Sequence, residues 1–403
     1  MSDDRPRFSI VMPTRNRAAL LRYALQSALD QTFTDYEIVV SSNFSSDDTD
    51  QVIRQTGGER VRYVRTDRVL PMHESWEFAL SQARGEWILF LCDDDALYPQ
   101  ALQIVSSAID NDQTELVAWL SGLYYIDTPF IPLERRGHLV LSRCTGRRIR
   151  MSSASQLEAL FRLQFNPYIL PKMLNSCCRR TLIERVKQRL GRLFLPPAPD
   201  YSSCAAMLAM TDSYGLMDQS LVVSGCGSHV TGVSANTEKP TNHVEFVNDF
   251  QGRMFEDVPL THATGWNAIV ESLLKVQKAI QPELSGLELD RGSYFAVCYQ
   301  DMLALANEGL DVAEMRKEFF GALARESLLV RAKVRAKILA PRMPLFLRRG
   351  MVRRAIMRTG VLRMLDATIR RRKQRVVGWE RGFPNILEAV RYASQISQDS
   401  CDS

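Results

Sequence analysis

The stretch EWILFLCDDD at residues 86–95 constrains the fold more than any other part of the chain. An unbroken apolar run over residues 87–92 is followed at once by Asp93, Asp94 and Asp95. Such a run, bounded by polar residues, is typical of a strand buried on both faces in a parallel sheet. Ligands of open α/β sheets bind beyond the carboxyl ends of these strands. We therefore expect the three carboxylates at the mouth of a site.

The carboxylates also indicate what that site holds. Side chains alternate along an extended segment, so Asp93 and Asp95 can point the same way. Adjacent carboxylates repel each other unless a cation offsets them. Mg²⁺ and Mn²⁺ prefer such oxygen ligands and often bridge them to substrate phosphates. The alternative is an acidic turn after a strand, since Asp is a common turn residue.

The first 110 residues alternate between strand and helix patterns. Strands are predicted over residues 8–12, 36–40, 61–64 and 87–92; helices over residues 17–30 and 50–55, around Trp76, Ala79, Leu80 and Ala83, and around Leu102, Val105 and Ile109. Four such alternations predict an α/β fold whose parallel sheet has right-handed crossovers and helices on both faces.

The pattern then changes. Strands of a mixed extension are predicted over residues 116–126, 138–141 and 221–224, and helices over residues 153–163, 179–190 and 201–211. Beyond residue 240 the chain is predicted to be helical to its end. A length of 403 residues is typical of about two or three domains.

The charge is distributed unevenly. The net charge is +5, but residues 331–375 hold 16 Lys and Arg and one acidic residue, Asp366. In this segment Val352, Ile356 and Leu362 recur at helical spacing among arginines, which favours a basic amphipathic helix on an anionic membrane surface. The alternative is a helix packed on the acidic remainder of the chain. Nucleic-acid binding is disfavoured because no aromatic interleaving or known motif accompanies the charge.

The eight cysteines are scattered and form no CxxC pair, and no histidine pair has zinc-finger spacing. This pattern favours a reducing cytoplasm over a disulfide framework. The polar N-terminus is not a signal peptide, and no apolar run approaches the roughly 20 residues that span a bilayer. The expected location is therefore the cytoplasm, peripherally on the inner face of the membrane.

Five motifs in order carry a family resemblance. They are SIVMPTRNR at residues 9–17, YEIVVSSNFSSDDT at residues 36–49, SWEFAL at residues 75–80, RGEWILFLCDDD at residues 84–95 and LYP at residues 97–99. Together they resemble the family 2 glycosyltransferases of the GT-A fold. The resemblance implies a Rossmann-like, mixed, mainly parallel sheet and an inverting transfer that uses a nucleotide-diphosphate sugar and a divalent metal, Mn²⁺ or Mg²⁺. It implies a catalytic domain over residues 1–236, with a nucleotide-sugar-binding half at 1–112 and an acceptor half at 113–236; residues 237–403 then form a helical region.

By this resemblance, the first loop lines the nucleotide pocket. The residues predicted to bind the nucleotide sugar are Pro13, Thr14, Arg15, Arg17, Ser42, Asn43 and Asp93. Thr14 and Asn16 have an alternative role as caps of the following helix. Ser42 and Asn43 stand where the family usually carries an acidic residue that reads the nucleobase, while Asp47 and Asp48 are better explained as helix caps.

The resemblance also places the metal and the base. Asp94 and Asp95 are the expected metal ligands, although many relatives carry an acidic residue where this chain has Cys92. Asp200 is the expected general base, which takes the proton of the acceptor hydroxyl. Its alternative is the N-cap of the 201–211 helix, and Asp212 and Asp218 are weaker candidates for the base.

Two further segments resemble family loops. Asn175, with Tyr168 nearby, is expected on the acceptor side, and His229 lies in a segment that resembles a loop closing over the diphosphate. The expected acceptor is a glycan or a lipid-linked glycan, as in surface-polysaccharide biosynthesis.

Two other functions remain open at the level of sequence. A sugar nucleotidyltransferase would carry a Gly-rich loop after the first strand, and residues 13–17 contain no glycine. A catalytically silent, membrane-associated scaffold subunit is consistent with Ser42 and Cys92.

Overall fold

The structure is a computed structural model that describes residues 5–126, 133–141, 145–226, 255–307, 309–339, 375–377 and 382–401. The strands are β1 Phe8–Thr14, β2 Tyr36–Ser42, β3 Val61–Arg65, β4 Trp87–Phe90, β5 Ala96–Leu97, β6 Leu116–Tyr125, β7 Leu139–Leu141, β8 Arg148–Ser152, β9 Ser176–Arg179, β10 Ser213–Cys226 and β11 Arg375–Val377. The helices are α1 Ala18–Leu29, α2 Thr49–Thr56, α3 Met72–Gln82, α4 Ala101–Asp112, α5 Ser153–Phe161, α6 Arg180–Leu190, α7 Pro199–Ala209, α8 Gly265–Ala279, α9 Arg291–Asn307, α10 Ala313–Ala324, α11 Leu328–Leu339 and α12 Ile386–Cys401. Short 3₁₀ turns occupy Leu133–Arg135 and Met173–Asn175.

The strands form one mixed sheet. β4, β1, β2 and β3 are parallel neighbours, in that order, and form the N-terminal half. β9 joins β4 to β6 through antiparallel pairs, and β10 runs parallel to β6. The predicted fold class is confirmed: an α/β fold with a mixed, mainly parallel sheet and helices, followed by a helical C-terminal region.

The hydrophobic pattern explains the central strands. In β1, Ile10 and Met12 pack in one cluster with α1 and α4, while Val11 packs in another with α3 and α7. Alternate side chains therefore enter cores on opposite faces, as a sheet covered by helices on both sides requires. The carboxyl end of β4 is held between these two cores, which fixes the position of the acidic residues that follow it.

The C-terminal part of the chain packs against the N-terminal part. Leu273 and Val276 of α8 lie in the cluster that contains α7. Val390 of α12 lies in the cluster of α1, and the guanidinium of Arg391 contacts the carboxylate of Asp30 at 2.9 Å. The short strand β11 pairs antiparallel with β7, an addition to the helices expected beyond residue 240. The fold therefore uses residues from both ends of the chain around the sheet.

β10 is longer than expected. The sequence predicts a strand over residues 221–224, but the strand begins at Ser213. It pairs with β6 from Gly215 to Cys226, while its first part also pairs with β8 and its second with β5, and the register with β6 shifts between Met217 and Val222. The shift interrupts the alternation of side chains that sequence reading relies on. Within the described residues, no helix is both long and apolar enough to cross a membrane.

Candidate active site

The carboxylates of Asp93, Asp94 and Asp95, here called the acidic edge, lie just beyond β4. Their exposed fractions are only 4%, 6% and 6%. Asp93 and Asp94 form a turn in which the N–H of Asp95 donates to the carbonyl of Cys92 at 3.2 Å, and β5 then pairs with β10. Burial of three consecutive acids is costly without compensating charge. This burial argues against the alternative of an ordinary exposed acidic turn.

Asp93 is held by the loop that follows β1. The hydroxyl of Thr14 donates to one of its carboxylate oxygens at 2.7 Å, and the guanidinium of Arg17 donates to the other at 3.0 Å. The same guanidinium nitrogen lies 3.5 Å from an Asp94 oxygen. Burial by itself lowers the pKa of Arg17, but the carboxylates of Asp93 and Asp94 outweigh it and raise that pKa. The loop after β1 and the acidic edge are thus joined by hydrogen bonds and ion pairs.

Asp94 and Asp95 carry charge that the protein does not fully offset. Burial, together with the charge of Asp93, raises the pKa of Asp94 to about 7. Burial and the charge of Asp94 also raise the pKa of Asp95 well above its usual value. Among the described residues, the ion pairs of the acidic edge come from Arg17 alone. A bound cation would remove this imbalance.

The donor set fits a hard divalent metal. Ligand atoms of Cys92, Asp94 and Asp95 lie within 4.8 Å of one another. Burial and the nearby carboxylates raise the pKa of the Cys92 thiol, and sulfur is a soft ligand that suits Mg²⁺ and Mn²⁺ less well than oxygen does. The carboxylate oxygens are the ligands that Mg²⁺ and Mn²⁺ prefer. The residues present therefore fit such an ion held by Asp94 and Asp95.

Gly225 of β10 closes the site from the other side. Its backbone N–H donates to an Asp95 carboxylate oxygen at 3.1 Å. A Cβ atom at this position would lie 2.2 Å from the backbone oxygen of Asp94. Because no real Cβ tolerates such a contact, only glycine allows the two strand segments to approach so closely.

The rest of the first loop has mixed roles. Pro13 is buried, whereas Arg15 is partly exposed. Asn16 adopts a left-handed φ of 54°, and its side-chain oxygen accepts the N–H of Ser46 at 2.8 Å. The carboxylate of Asp47 accepts the N–H of Ala18, at the start of α1, at 2.9 Å, and that of Thr49, at the start of α2, at 3.1 Å. The predicted capping role of Asp47 is confirmed.

Ser42 and Asn43 are occupied by contacts within the protein. Ser42 is fully buried, and its hydroxyl accepts the N–H of Ser45 at 3.3 Å. The Asn43 amide donates to the carbonyl of Leu70 at 2.7 Å and accepts its N–H at 2.8 Å. These bonds hold the loop after β3 against β2. Contact of either residue with a nucleobase stays a prediction.

Asp200 lies in the first turn of α7. The helix begins at Pro199 and its N-cap is Ala198, so the alternative that made Asp200 the N-cap is wrong. Proline at the first helical position explains the earlier start, because its missing N–H has no partner there anyway. Burial raises the pKa of Asp200, opposed by the charge of Lys172 and by the backbone N–H groups of Tyr201 and of Asp200 itself. A carboxylate with a raised pKa is suited to accept a proton.

The weaker candidates lie elsewhere. The carboxylate of Asp218 accepts the hydroxyl of Thr145 at 2.6 Å. Asp212 is exposed after the end of α7. Both have positions that are explained without a catalytic role.

Lys172 is a site residue that sequence reasoning missed. Its ammonium lies 5.3 Å from the ring centroid of Tyr201. Its charge lowers the pKa of both Asp95 and Asp200, so it lies near the acidic edge and near the candidate base. A lone lysine between Pro171 and Met173 carries no motif, and only the fold brings its charge within range of both carboxylates.

Asn175 supports the loop that carries Lys172. Its amide nitrogen donates to the carbonyls of Trp119 and Leu170, each at 3.0 Å. Its N–H donates to the carbonyl of Lys172 at 2.9 Å. Tyr168, in the preceding turn, is exposed. The predicted acceptor contact of Asn175 stays a prediction. His229 and most of the basic segment, residues 340–374, lie outside the described residues.

Comparison with known proteins gives a family match over the first part of the chain. The family model "Glycosyl transferase family 2" matches residues 9–166. The chain is 39% identical over 100 residues to the GalNAc(5)-diNAcBac-PP-undecaprenol beta-1,3-glucosyltransferase of Campylobacter jejuni, an alignment that covers 24% of this chain and 32% of that relative. It is 35% identical over 96 residues to the PGL/p-HBAD biosynthesis glycosyltransferase of Mycobacterium bovis, covering 23% of this chain and 37% of the relative.

The chain thus matches about a third of the length of these curated relatives. Among solved structures, S. aureus TarS 1-349 in complex with UDP is similar with a TM-score of 0.47 and 15% identity, over 83% of this chain and 92% of that one. The matched model includes the segment that carries the predicted motifs, residues 9–99. Residues 9–166 are therefore similar to the family 2 glycosyl transferases.

Proposed function

We propose that this protein is an inverting glycosyltransferase that moves a sugar from a nucleotide-diphosphate donor to a glycan or a lipid-linked glycan. The observation that carries the proposal is the acidic edge: three buried carboxylates, joined to Thr14 and Arg17, at the carboxyl end of a central parallel strand. The similarity of residues 9–166 to the family 2 glycosyl transferases supports the same reaction class.

On the donor side, Asp94 and Asp95 hold a divalent metal, Mn²⁺ or Mg²⁺. When bound, the metal supplies charge stabilisation for the leaving diphosphate. Asp93 keeps Thr14 and Arg17 in place, and Arg15, which is partly exposed at the same loop, contributes a charge-assisted donor to phosphate. Pro13, Ser42 and Asn43 shape the wall of the nucleotide pocket.

On the acceptor side, Asp200 is the general base. It takes the proton of the acceptor hydroxyl while that oxygen forms a bond to the anomeric carbon. The bond between the anomeric carbon and the diphosphate oxygen breaks, and the nucleoside diphosphate leaves with the electron pair. Attack from the face opposite the leaving group inverts the anomeric centre. Lys172 keeps the pKa of Asp200 from rising further.

The acceptor class is supported by a relative. The name of the Campylobacter jejuni enzyme describes transfer to an undecaprenol-linked glycan. A lipid-linked acceptor requires the enzyme to work at a membrane surface, and the Arg-rich segment over residues 331–375 supplies charge for an anionic leaflet. The proposed catalytic domain comprises residues 1–236. Residues 237–403 form the proposed helical region, which packs on that domain and contacts the membrane. The proposed location is the cytoplasmic face of the membrane, and the proposed role is surface-polysaccharide biosynthesis.

The decisive experiment measures metal-dependent donor binding and hydrolysis. Melting temperatures of the wild-type chain with a panel of nucleoside diphosphates should rise for one of them, and further with Mn²⁺, because ligands that bind the folded state stabilise it by mass action. Asp94→Asn should lose the Mn²⁺-dependent rise and lower transfer by roughly 10³-fold or more, since it removes a charged metal ligand.

Asp48→Asn is the matched control, because Asp48 is an exposed carboxylate of the neighbouring loop. It should behave as wild type. A wild-type chain that binds no nucleotide with metal and hydrolyses no sugar nucleotide would be a silent scaffold subunit instead.

A further inference from the structure

The first turn of α11 leaves two adjacent leucines in solvent. Leu328 and Leu329 are 76% and 84% exposed. No other two neighbouring residues of the described chain are both large, apolar and exposed to this degree. Single exposed apolar residues need no explanation, but adjoining ones mark a contact surface.

The exposed leucines continue into a face of α11 with basic character. Ala332 and Arg335 follow Leu328 at helical spacing and are also exposed. The opposite face packs inward, where Val334 is fully buried. We call Leu328, Leu329, Ala332 and Arg335 the α11 outer face.

The charges of α11 divide between two roles. The ammonium of Lys333 binds the carboxylate of Asp290 at 2.6 Å, and Lys337 donates to the hydroxyl of Ser293 at 2.6 Å, so both serve to attach α11 to α9. By contrast, no described carboxylate lies within 4.0 Å of the guanidinium of Arg335, nor of Arg325 just before the helix. The helix contains no acidic residue. The unpaired arginines border the exposed leucines.

The sequence that follows α11 extends this charge. Residues 340–374 hold eleven Lys and Arg and one acidic residue, and they begin directly where α11 ends. Along the sequence, the helix with the two exposed leucines is therefore followed by a segment of positive charge with almost no acidic residue. That combination is complementary to an anionic lipid surface, where leucines enter the boundary of headgroups and acyl chains and arginines meet phosphates.

We propose that the α11 outer face docks on an anionic membrane, with the helix lying along the surface and Leu328 and Leu329 as its apolar anchors. The small side chain of Ala332 lets the helix approach the lipid closely. This proposal rests on the proposed function: a docked α11 presents the candidate active site to a lipid-linked acceptor.

Co-sedimentation of the full chain with vesicles tests the proposal. Vesicles of phosphatidylglycerol and phosphatidylcholine are compared with pure phosphatidylcholine, at low and high salt. The double variant Leu328→Ser with Leu329→Ser should lose about tenfold or more of its vesicle partitioning, because two buried leucines are removed. The part that remains should be released by salt, since screening acts on the arginines.

Leu133→Ser is the matched control, because Leu133 is 78% exposed in the turn before β7. It should bind vesicles as the wild type does. Arg325→Ser with Arg335→Ser should weaken binding to anionic vesicles and leave the salt-resistant part. Melting temperatures of all variants should match the wild type, since the changed side chains are exposed.

Unchanged vesicle binding in the double leucine variant would overturn the proposal, as would an equal loss in the Leu133 control. A change in the sedimentation coefficient of the double variant without vesicles would instead make the face a contact between copies of the chain. Hydrolysis of a sugar nucleotide, measured without lipid, separates the two proposals: it reports the proposed function alone and should be the same in the double variant and the wild type.

Discussion

The acidic edge is buried and Asp200 is half-buried, and different kinds of contact position them. On the donor side, side chains bind side chains: Thr14 and Arg17 hold Asp93. On the acceptor side, the position of Asp200 is set by packing. The N-cap of its helix, Ala198, donates its N–H to the buried hydroxyl of Ser272 on α8 at 2.9 Å.

The contacts of the two sides come from different parts of the chain. The donor side is complete within residues 9–95, except for the glycine contact from β10. The acceptor side needs a helix that begins at residue 265, outside the segment that the family model matches. The proposed donor side therefore lies within the segment that matches the family model, while the proposed base and the helix that supports it lie outside that segment.

Among the changes that test this difference between the two sides, the largest effect should come from the proposed base. Asp200→Asn keeps the shape of the side chain but cannot accept the proton, so transfer should fall by roughly 10²- to 10⁴-fold. Donor affinity, measured by titration calorimetry with the nucleoside diphosphate and Mn²⁺, should hardly change, because the donor contacts lie on the other side. Asp212→Asn, at the far end of α7, should have no effect on either quantity. If donor affinity and transfer fall together in the Asp200 variant, the division between the two sides is wrong.

A change in β10 probes the donor side without touching a carboxylate. Gly225→Ala forces the backbone of Asp94 to move, because the new Cβ would lie 2.2 Å from its carbonyl oxygen. A displacement of about 1 Å at a catalytic ligand can reduce turnover by about 10²-fold. Both transfer and metal-dependent donor affinity should therefore fall.

Gly215→Ala is the control for this change, since Gly215 lies on the same strand and its Cβ would meet its nearest neighbour at 3.6 Å. It should retain metal-dependent donor binding. Equal losses in the two variants would mean that an added methyl group at either glycine of β10 is harmful, and that Gly225 has no special relation to the acidic edge.

The contrast also explains what could be read from the sequence. The strand and helix order over residues 8–112 and the acidic edge follow from local patterns, because apolar runs and their flanking residues report burial directly. The capping role of Asp47 was predictable for the same reason. The start of α7 was missed by two residues, although Pro199 signals it.

The features that the sequence did not predict depend on contacts between residues far apart in the chain. The hydrogen bond between Asn43 and Leu70 joins residues 27 positions apart, and the hydrogen bond between Ala198 and Ser272 joins residues 74 positions apart. The strand β11 is three residues long and exists through its pairing with β7. Neither a hydrophobic period nor a motif encodes such contacts, so the roles of Lys172 and Ser272 appear only in the folded chain.

The smallest expected effect joins the two sides through Lys172. Transfer requires Asp200 without its proton, so activity should rise with pH through the pKa of this carboxyl. Burial raises that pKa and the charge of Lys172 lowers it. Lys172→Met should therefore move the acidic limb of the pH–rate profile to higher pH, so that activity is lost on the acidic side of the profile and recovered as the pH increases. Lys172→Arg keeps the charge and should leave the limb near its wild-type position. A loss of activity in the Met variant that is the same at every pH would contradict this role. Lys172 would then bind the diphosphate directly instead of acting through its charge on the pKa of Asp200.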